Sequence, residues 1–268
     1  MSLTSSCTKS LCVTAMTVAL ATAAHAAALR TFVSGGGNDA NTASNCAHAA
    51  PCRTLAVALT VTSSGGEIAA LDPAGYGPIT ISGKLSLVGV PGAAINAPAN
   101  GIGITINAGA GNTVEISNFQ IVSDGLSNTT GIAVNSGNLV LRNSALKFLS
   151  TGMTVTNTKA SLFHVDIIGN SVGISATGTG PNPNVFPFTG TTEVLLFWGS
   201  AFDNTTAFLM NNPGTNTPNI LEWLSDPASG FGYSTGIAGN GTLVNGMGTG
   251  CPGSCTSLGT FEGATNPN

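Results

Sequence analysis

The sequence predicts an all-β chain wound as a stacked parallel coil, a solenoid, and three observations predict it. Gly131-Ile132, Gly152-Met153 and Gly173-Ile174 recur at a spacing of 21 residues, and each pair opens a short apolar/polar alternation. The match extends past the glycines: Leu139, Leu141 and Leu146 of one unit fall on Ala160, Leu162 and Ile167 of the next. With a four-residue offset the same trio falls on Val114, Ile116 and Ile121 upstream. Across a 13-residue insertion, the Gly178–Gly190 stretch, it falls on Val194, Leu196 and Ala201 downstream, where Ala207-Phe208 takes the Gly-Ile place. A fixed period of this length means that each unit buries its apolar edge on its neighbours rather than in a private core. Composition agrees. Charged residues make up 7% of the 268-residue chain and glycines number 36, whereas typical soluble domains are about 25% charged. With 42% apolar residues in register, disorder is excluded, and the net charge of −4 without a basic patch argues against a nucleic-acid partner.

The chain opens as a secretory signal. Lys9 supplies a short positive region, Leu11 to Ala24 an apolar stretch, and Ala24-His25-Ala26 a small-x-small cleavage site. Cleavage is expected after Ala26; the alternative is an apolar helix of the folded domain. No second stretch approaches the roughly 18 continuous apolar residues of a membrane span, so the mature protein is expected to be secreted or held in the periplasm or cell envelope. The organisation expected is a signal peptide over 1–26, an N-terminal cap over 27–66, coils over 67–225, and a Gly/Ser/Thr-rich cover and tail over 226–268.

Cys7 and Cys12 leave with the signal, and Cys46, Cys52, Cys251 and Cys255 remain. An even count in an exported protein favours disulfides, and four cysteines allow three pairings. Local pairing, Cys46–Cys52 and Cys251–Cys255, is the expectation. Zinc is the alternative, but neither pair has the two-residue metal spacing, and His48 is the only histidine near either.

In the cap, Thr31–Ser34 reads as a short strand and Gly35–Asn45 as a loop. Pro51 to Thr62 reads as a short amphipathic helix, with Leu55 and Leu59 on one side, ended by Ser63-Ser64-Gly65-Gly66. Strands over Glu67–Leu71, Ile79–Ile81 and Leu85–Val88 follow, with a turn at Asp72–Gly77. A helix across the open end would cover the first exposed rung of a solenoid.

The order Phe-Val-Ser (32–34), Gly-Asn-Asp-Ala-Asn (37–41), Pro-Cys-Arg-Thr-Leu (51–55), Gly-Gly-Glu-Ile (65–68), Asp-Pro-x-x-Tyr-Gly (72–77), Ile-Thr-Ile-Ser (79–82) and Leu-Ser-Leu-Val-Gly (85–89) resembles the N-terminal cap and first coil of right-handed parallel β-helix proteins. In particular it resembles exported bacterial members of the pectin-lyase-like superfamily. The resemblance covers residues 30–90, and it continues to residue 210 only as coil periodicity. It implies a right-handed parallel β-helix with a short N-terminal capping helix. It does not imply one activity, because the superfamily includes lyases, hydrolases, esterases, tailspikes and non-catalytic surface proteins.

From residue 93 about five coils of two or three short strands follow, with Asn and Gly suited to tight, partly left-handed corners. Asn128-Thr129-Thr130 and Asn204-Thr205-Thr206 match the glycosylation pattern but fall at equivalent corners, where a structural role explains them. Beyond Asn211 the pattern decays. Ile220–Leu224 reads as one more strand, and Trp223 and Phe231 point to a terminal cover.

Stacking the units in this register places Ser117, Arg142, Phe163 and Phe197 in one outward column and Asn118, Asn143, His164 and Trp198 in the next. Gln120, Ala145, Asp166 and Ser200 form a third, and Val122, Lys147, Ile168 and Phe202 stand two positions further along. In so weakly charged a chain, Arg142, Lys147, His164 and Asp166 within two coils mark the candidate surface. Read as a carbohydrate-binding strip, it would use Arg142, Asn143, Phe163, His164, Phe197 and Trp198, aromatic rings stacking on sugars and polar groups bonding hydroxyls or carboxylates. The competing reading makes Phe163, Phe197 and Trp198 a stacked ladder buried under the insertion, with its Phe186 and Phe188, or under the tail.

The function expected is non-catalytic association with polysaccharide at the envelope or outside the cell, with no cofactor. The alternatives are a polysaccharide lyase or hydrolase using Arg142, Lys147, His164 and Asp166, and a structural or adhesive solenoid without a small ligand. What the resemblance implies for a lyase is an Arg or Lys base, with calcium or neighbouring cations against the uronate charge. Arg142 or Lys147 would then be the base and Asp166 a calcium ligand. Calcium takes six to eight oxygens, yet Glu115, Asp124, Asp166, Glu193 and Asp203 are scattered over different coils, and no paired-carboxylate doublet stands out.

Overall fold

The computed structural model describes residues 26–123, 125, 127–178, 192–197, 199–211, 220–224, 236–239, 242–245 and 256–257. Two parallel sheets run through these residues. The larger has 13 described strands. It steps from Ala28–Val33 through Thr62–Ala70, Leu85–Val88, Thr113–Ser117, Asn138–Lys147, Lys159–Ile168, Glu193–Phe197, Ile220–Leu224 and Thr242–Asn245 to Thr256–Ser257. Ala94–Asn96, Gln120–Val122 and Ser200–Phe202 join it at the side. The smaller runs Ile79–Ile81, Ile102–Asn107, Thr130–Ser136, Thr151–Thr156, Val172–Thr177, Thr206–Asn211, Gly236–Gly239. The chain passes from one sheet to the other and back, so each strand returns beside its counterpart one unit earlier and in the same direction. The architecture is all-β, mostly parallel and compatible with a parallel β-solenoid.

The sequence register is the structural register. Leu139, Leu141 and Leu146 pair with Ala160, Leu162 and Ile167, and with Val114, Ile116 and Ile121 on the other side. Val194, Leu196 and Ala201 continue the same rows past the insertion. Met153 lies between Ile132 and Ile174, and Ile174 opposite Phe208. Each row is an aliphatic ladder. Ile68, Leu87, Ile116, Leu141, Leu162 and Leu196 stack in one sheet, and Ile81, Ile106, Val134, Val155 and Ala176 in the other. All are buried in one continuous core. Repeated β-branched and leucine side chains stack there at the strand spacing.

The cap departs from its sequence reading in three places. The α-helix is only Leu55–Thr60, not Pro51–Thr62, because Thr54 takes the N-cap position and accepts from Val57 N–H through its hydroxyl. Ser63-Ser64-Gly65-Gly66 does not end a helix; it lies inside the Thr62–Ala70 strand. There Ala28 pairs with Thr62 but Arg30 with Glu67, and the turn-forming residues bulge out to absorb the difference. The Gly35–Asn45 segment contains a 3₁₀ helix over Asp39–Ser44, closed by Asn45 in the left-handed region.

The disulfide Cys46–Cys52 forms as expected, with both residues buried. Its two ends hydrogen-bond to the free edge of the Ala28–Val33 strand: Phe32 N–H donates to Cys46 O, Cys52 N–H to Phe32 O, and Ser34 N–H to Cys52 O. The edge that would otherwise recruit another strand is thereby covered. The other expected disulfide, Cys251–Cys255, lies outside the described residues.

Asp72, read from sequence only as a turn starter, ties the end of the first strand to the turn before Ile79–Ile81. Its carboxylate accepts from Ser34 Oγ at 2.6 Å, Gly35 N–H at 2.7 Å and Tyr76 Oη at 2.5 Å. These hydrogen bonds, that of Ser34 first, hold its carboxyl below the usual carboxylate range. Burial and the bond to Asp72 push the Tyr76 phenol up, so it stays a neutral donor. Among the described residues, no helix is long and apolar enough to cross a membrane.

Candidate functional site

Leu141 and Leu146 both face the core although five positions separate them, and strand alternation alone would put them on opposite sides. The structure resolves this with a left-handed residue. Asn118, Asn143 and His164 have φ of 60°, 45° and 52°, a region that Asn and His visit more readily than most residues. Each takes one residue out of the alternation and bends the strand. Two consecutive side chains on each rung, Arg142-Asn143 and Phe163-His164, are thereby kept off the core side, while Ser144 and Val165 are buried.

An open groove of about 320 Å³ lies along this bend. Asn118, Asn143 and His164 form one side, Gln120, Lys147 and Asp166 the other, with Pro91 and Gly92 also lining it. Its depth comes from the column Gln120–Ala145–Asp166–Ser200. Ala145 stops at Cβ and is almost wholly covered, so its rung is the floor, flanked by longer side chains above and below. Asp166 is steadied from one rung further: Ser200 Oγ donates to its Oδ1 at 2.5 Å. Asn143, His164 and Asp166 are exposed and Lys147 is half-buried.

The groove therefore brings together Asn143, Lys147, His164 and Asp166, and leaves Arg142, Phe163 and Phe197 out of its lining. Those three form a stack of their own beyond the bend. The rings of Phe163 and Phe197 lie 4.7 Å apart and nearly parallel, at 5°. The Arg142 guanidinium carbon sits 4.4 Å over the opposite face of Phe163. Both faces of Phe163 are thus occupied along the stack of paired strands, so it presents an edge, not a face, to a ligand. Trp198, Phe186 and Phe188 lie outside the described residues, as does Asp124. Among the described residues, no three His, Cys, Asp or Glu side chains gather where they could hold a metal. Glu193 is bound to Lys159 in an ion pair at 2.7 Å.

The pairing bears out the columns Ser117–Arg142–Phe163–Phe197 and Gln120–Ala145–Asp166–Ser200, but Ala145, expected to point outward, is buried as the floor, and sequence reasoning did not single out Asn118 and Gln120 as lining residues. The signal was present in the small residue flanked by long ones in one column. The corner sequons turn out to be structural at Asn204, whose side chain is buried. Its Oδ1 accepts from the backbone N–H and the Nδ2 of Asn170, and its Nδ2 donates to Ile167 O. Asn170, equally buried, donates to Leu146 O and accepts from Leu149 N–H.

No protein-family model matches this chain, and no curated protein and no solved structure matches it.

Proposed function

We propose that this chain is an exported right-handed parallel β-helix protein, of the pectin-lyase-like kind, that binds polysaccharide without cleaving it. The observation that carries the reading is the groove lined by Asn118, Gln120, Asn143, Lys147, His164 and Asp166. It is open, with amide, ammonium, imidazole and carboxylate groups set around an apolar portion that includes Pro91, Phe119 and Ala145. Such groups suit hydroxyl-rich ligands, which offer donors and acceptors on every unit and little apolar surface. The grid of side chains repeats along the coil at about 4.8 Å per rung, so a linear chain lying across the rungs meets similar groups again. The right hand follows from the rule that a strand, a crossover and a parallel strand of the same sheet connect right-handedly in about 98% of cases. Residues 27–66 act as the cap and 67–225 as the coils, with the signal at 1–26 removed.

The test is binding of the mature protein to an array of neutral and acidic polysaccharides, followed by titration of the best ligand. Replacing Lys147 or Asp166 by Ala is expected to weaken that binding by roughly 10- to 100-fold, the range for a hydrogen bond to a charged group. Phe163→Ala, outside the groove, should leave it unchanged. Equal affinity of all variants would sink the groove as the site. Unsaturated products released from a polyuronate, and lost in Arg142→Ala and Lys147→Ala, would replace binding with lyase chemistry.

A further inference from the structure

The chain enters its first strand through three consecutive tethers. Asn45 Nδ2 donates to the Ala26 carbonyl at 3.2 Å, Ser63 Oγ to the Ala27 carbonyl at 2.6 Å, and the Ala28 N–H is donated to the Val61 carbonyl at 2.8 Å. Asn45 uses only one end of its amide here. Its Oδ1 is buried and has no hydrogen-bond partner, a costly condition for an amide oxygen. The backbone fixes the residue in place: Asn45 closes the 3₁₀ helix with φ 54° and lies one residue before the buried Cys46. Ala26 and Ala27 are exposed, so the bond between them can be reached by a peptidase, and it follows the small-x-small pattern Ala24-His25-Ala26.

We propose that hydrolysis of the Ala26–Ala27 peptide bond makes the N-terminus this cap holds, and that the α-ammonium of Ala27 docks on Asn45 Oδ1. Water adds across the bond. Ala26 departs with the new carboxylate, and Ala27 keeps the nitrogen as an amine, which is protonated below its ordinary pKa of about 7.7–8.0. The tethers at the Ala27 carbonyl and the Ala28 N–H do not involve Ala26, so they hold the new terminus where the peptide was. Asn45 loses its bond to the Ala26 carbonyl and gains N–H donors on the atom next to it. It exchanges a neutral bond for a charge-assisted one, which is the stronger kind. The inference rests on the export reading above.

Intact mass and N-terminal sequencing of the full chain expressed with an export pathway test the cleavage, and Ala27 is expected first. A chain kept intact inside the cell overturns export and cleavage together; an exported chain that begins elsewhere overturns only this site. Docking is tested on the mature protein with a free or an acetylated Ala27 amine, because the acetyl group restores a carbonyl where Ala26 had one. Asn45→Asp keeps a residue tolerant of positive φ and exchanges the amide for a carboxylate. It is expected to raise the Tm of the free-amine form by roughly 2–4 °C and to lower that of the acetylated form. The amine pKa is raised by such pairing. The gain is therefore full between the ordinary carboxylate range, about 4, and the unfolded amine value of about 7.7, and it disappears as pH rises through the folded amine value. Equal shifts in both forms, or a gain indifferent to pH, overturn the docking.

Discussion

Gly152 packs so closely under Gly173 that a Cβ on the former would stand 2.5 Å from the latter's carbonyl oxygen. The same holds for Gly131 under Gly152 at 2.5 Å and for Gly173 under Ala207 at 2.4 Å. None of these glycines has a positive φ; it is the neighbouring rung that excludes a side chain. Ala207 ends the run for a visible reason. The next strand passes from the partner of Thr206, Gly236, directly to the partner of Phe208, Ile237, so no residue stands opposite Ala207.

Gly152→Ala is therefore expected to destabilise the fold by roughly 1–3 kcal/mol, the cost of overpacking against backbone that cannot retreat. Chemical denaturation measures it. A neutral Gly152→Ala would show that the rungs are further apart than they stand here.

The Phe163–Phe197 stack is a stability element. A double-mutant cycle of Phe163→Ala and Phe197→Ala should give a coupling of roughly 0.5–1.5 kcal/mol. Arg142→Ala alone should lower stability a little through the lost cation–π contact with Phe163, and it should lose no such contact once Phe163 is Ala. Additive single mutations would mean that the rings do not touch in solution.

Asn204→Ala removes an acceptor shared by two donors of Asn170. Leaving those buried groups unpaired is expected to cost roughly 1–3 kcal/mol. Faster hydrogen exchange at the Asn170 and Leu149 amides is the measurement, since Leu149 N–H donates to the side chain that Asn204 positions. Exchange rates unchanged from wild type would count against the ladder.

Asp72 gives the cap an acid-sensitive joint. Its folded carboxyl is held below the unfolded value by Ser34, Tyr76 and Gly35. The stabilisation is therefore complete above the unfolded pKa of about 3.9 and is lost as pH falls through the folded one. Asp72→Asn should lower stability at neutral pH and flatten its acid dependence between those two values. A mutant as acid-sensitive as the parent would assign the transition to another carboxylate.

The spacing of Leu139, Leu141 and Leu146 and the recurring Gly-Ile pairs determined the parallel register by themselves. A repeat buries the same side of every unit, and a one-residue slip would turn each of these leucines outward. That is also why the outward columns, including Asn143, His164, Asp166 and Lys147, could be read before any coordinates. The cap was less legible. Its helix start depends on whether Thr54 or Pro51 takes the capping position, and Asp72 meets Ser34 only because residues 38 positions apart fold together. Only the tertiary structure decided how the columns sort into a groove and a stack. The left-handed turn at Asn118, Asn143 and His164 puts Arg142 and Phe163 on one side of a bend and Lys147 and Asp166 on the other. The Asn118–Asn143–His164 column and the five-residue Leu141–Leu146 spacing mark the corner in the sequence, but only the backbone angle there decides which side chains converge.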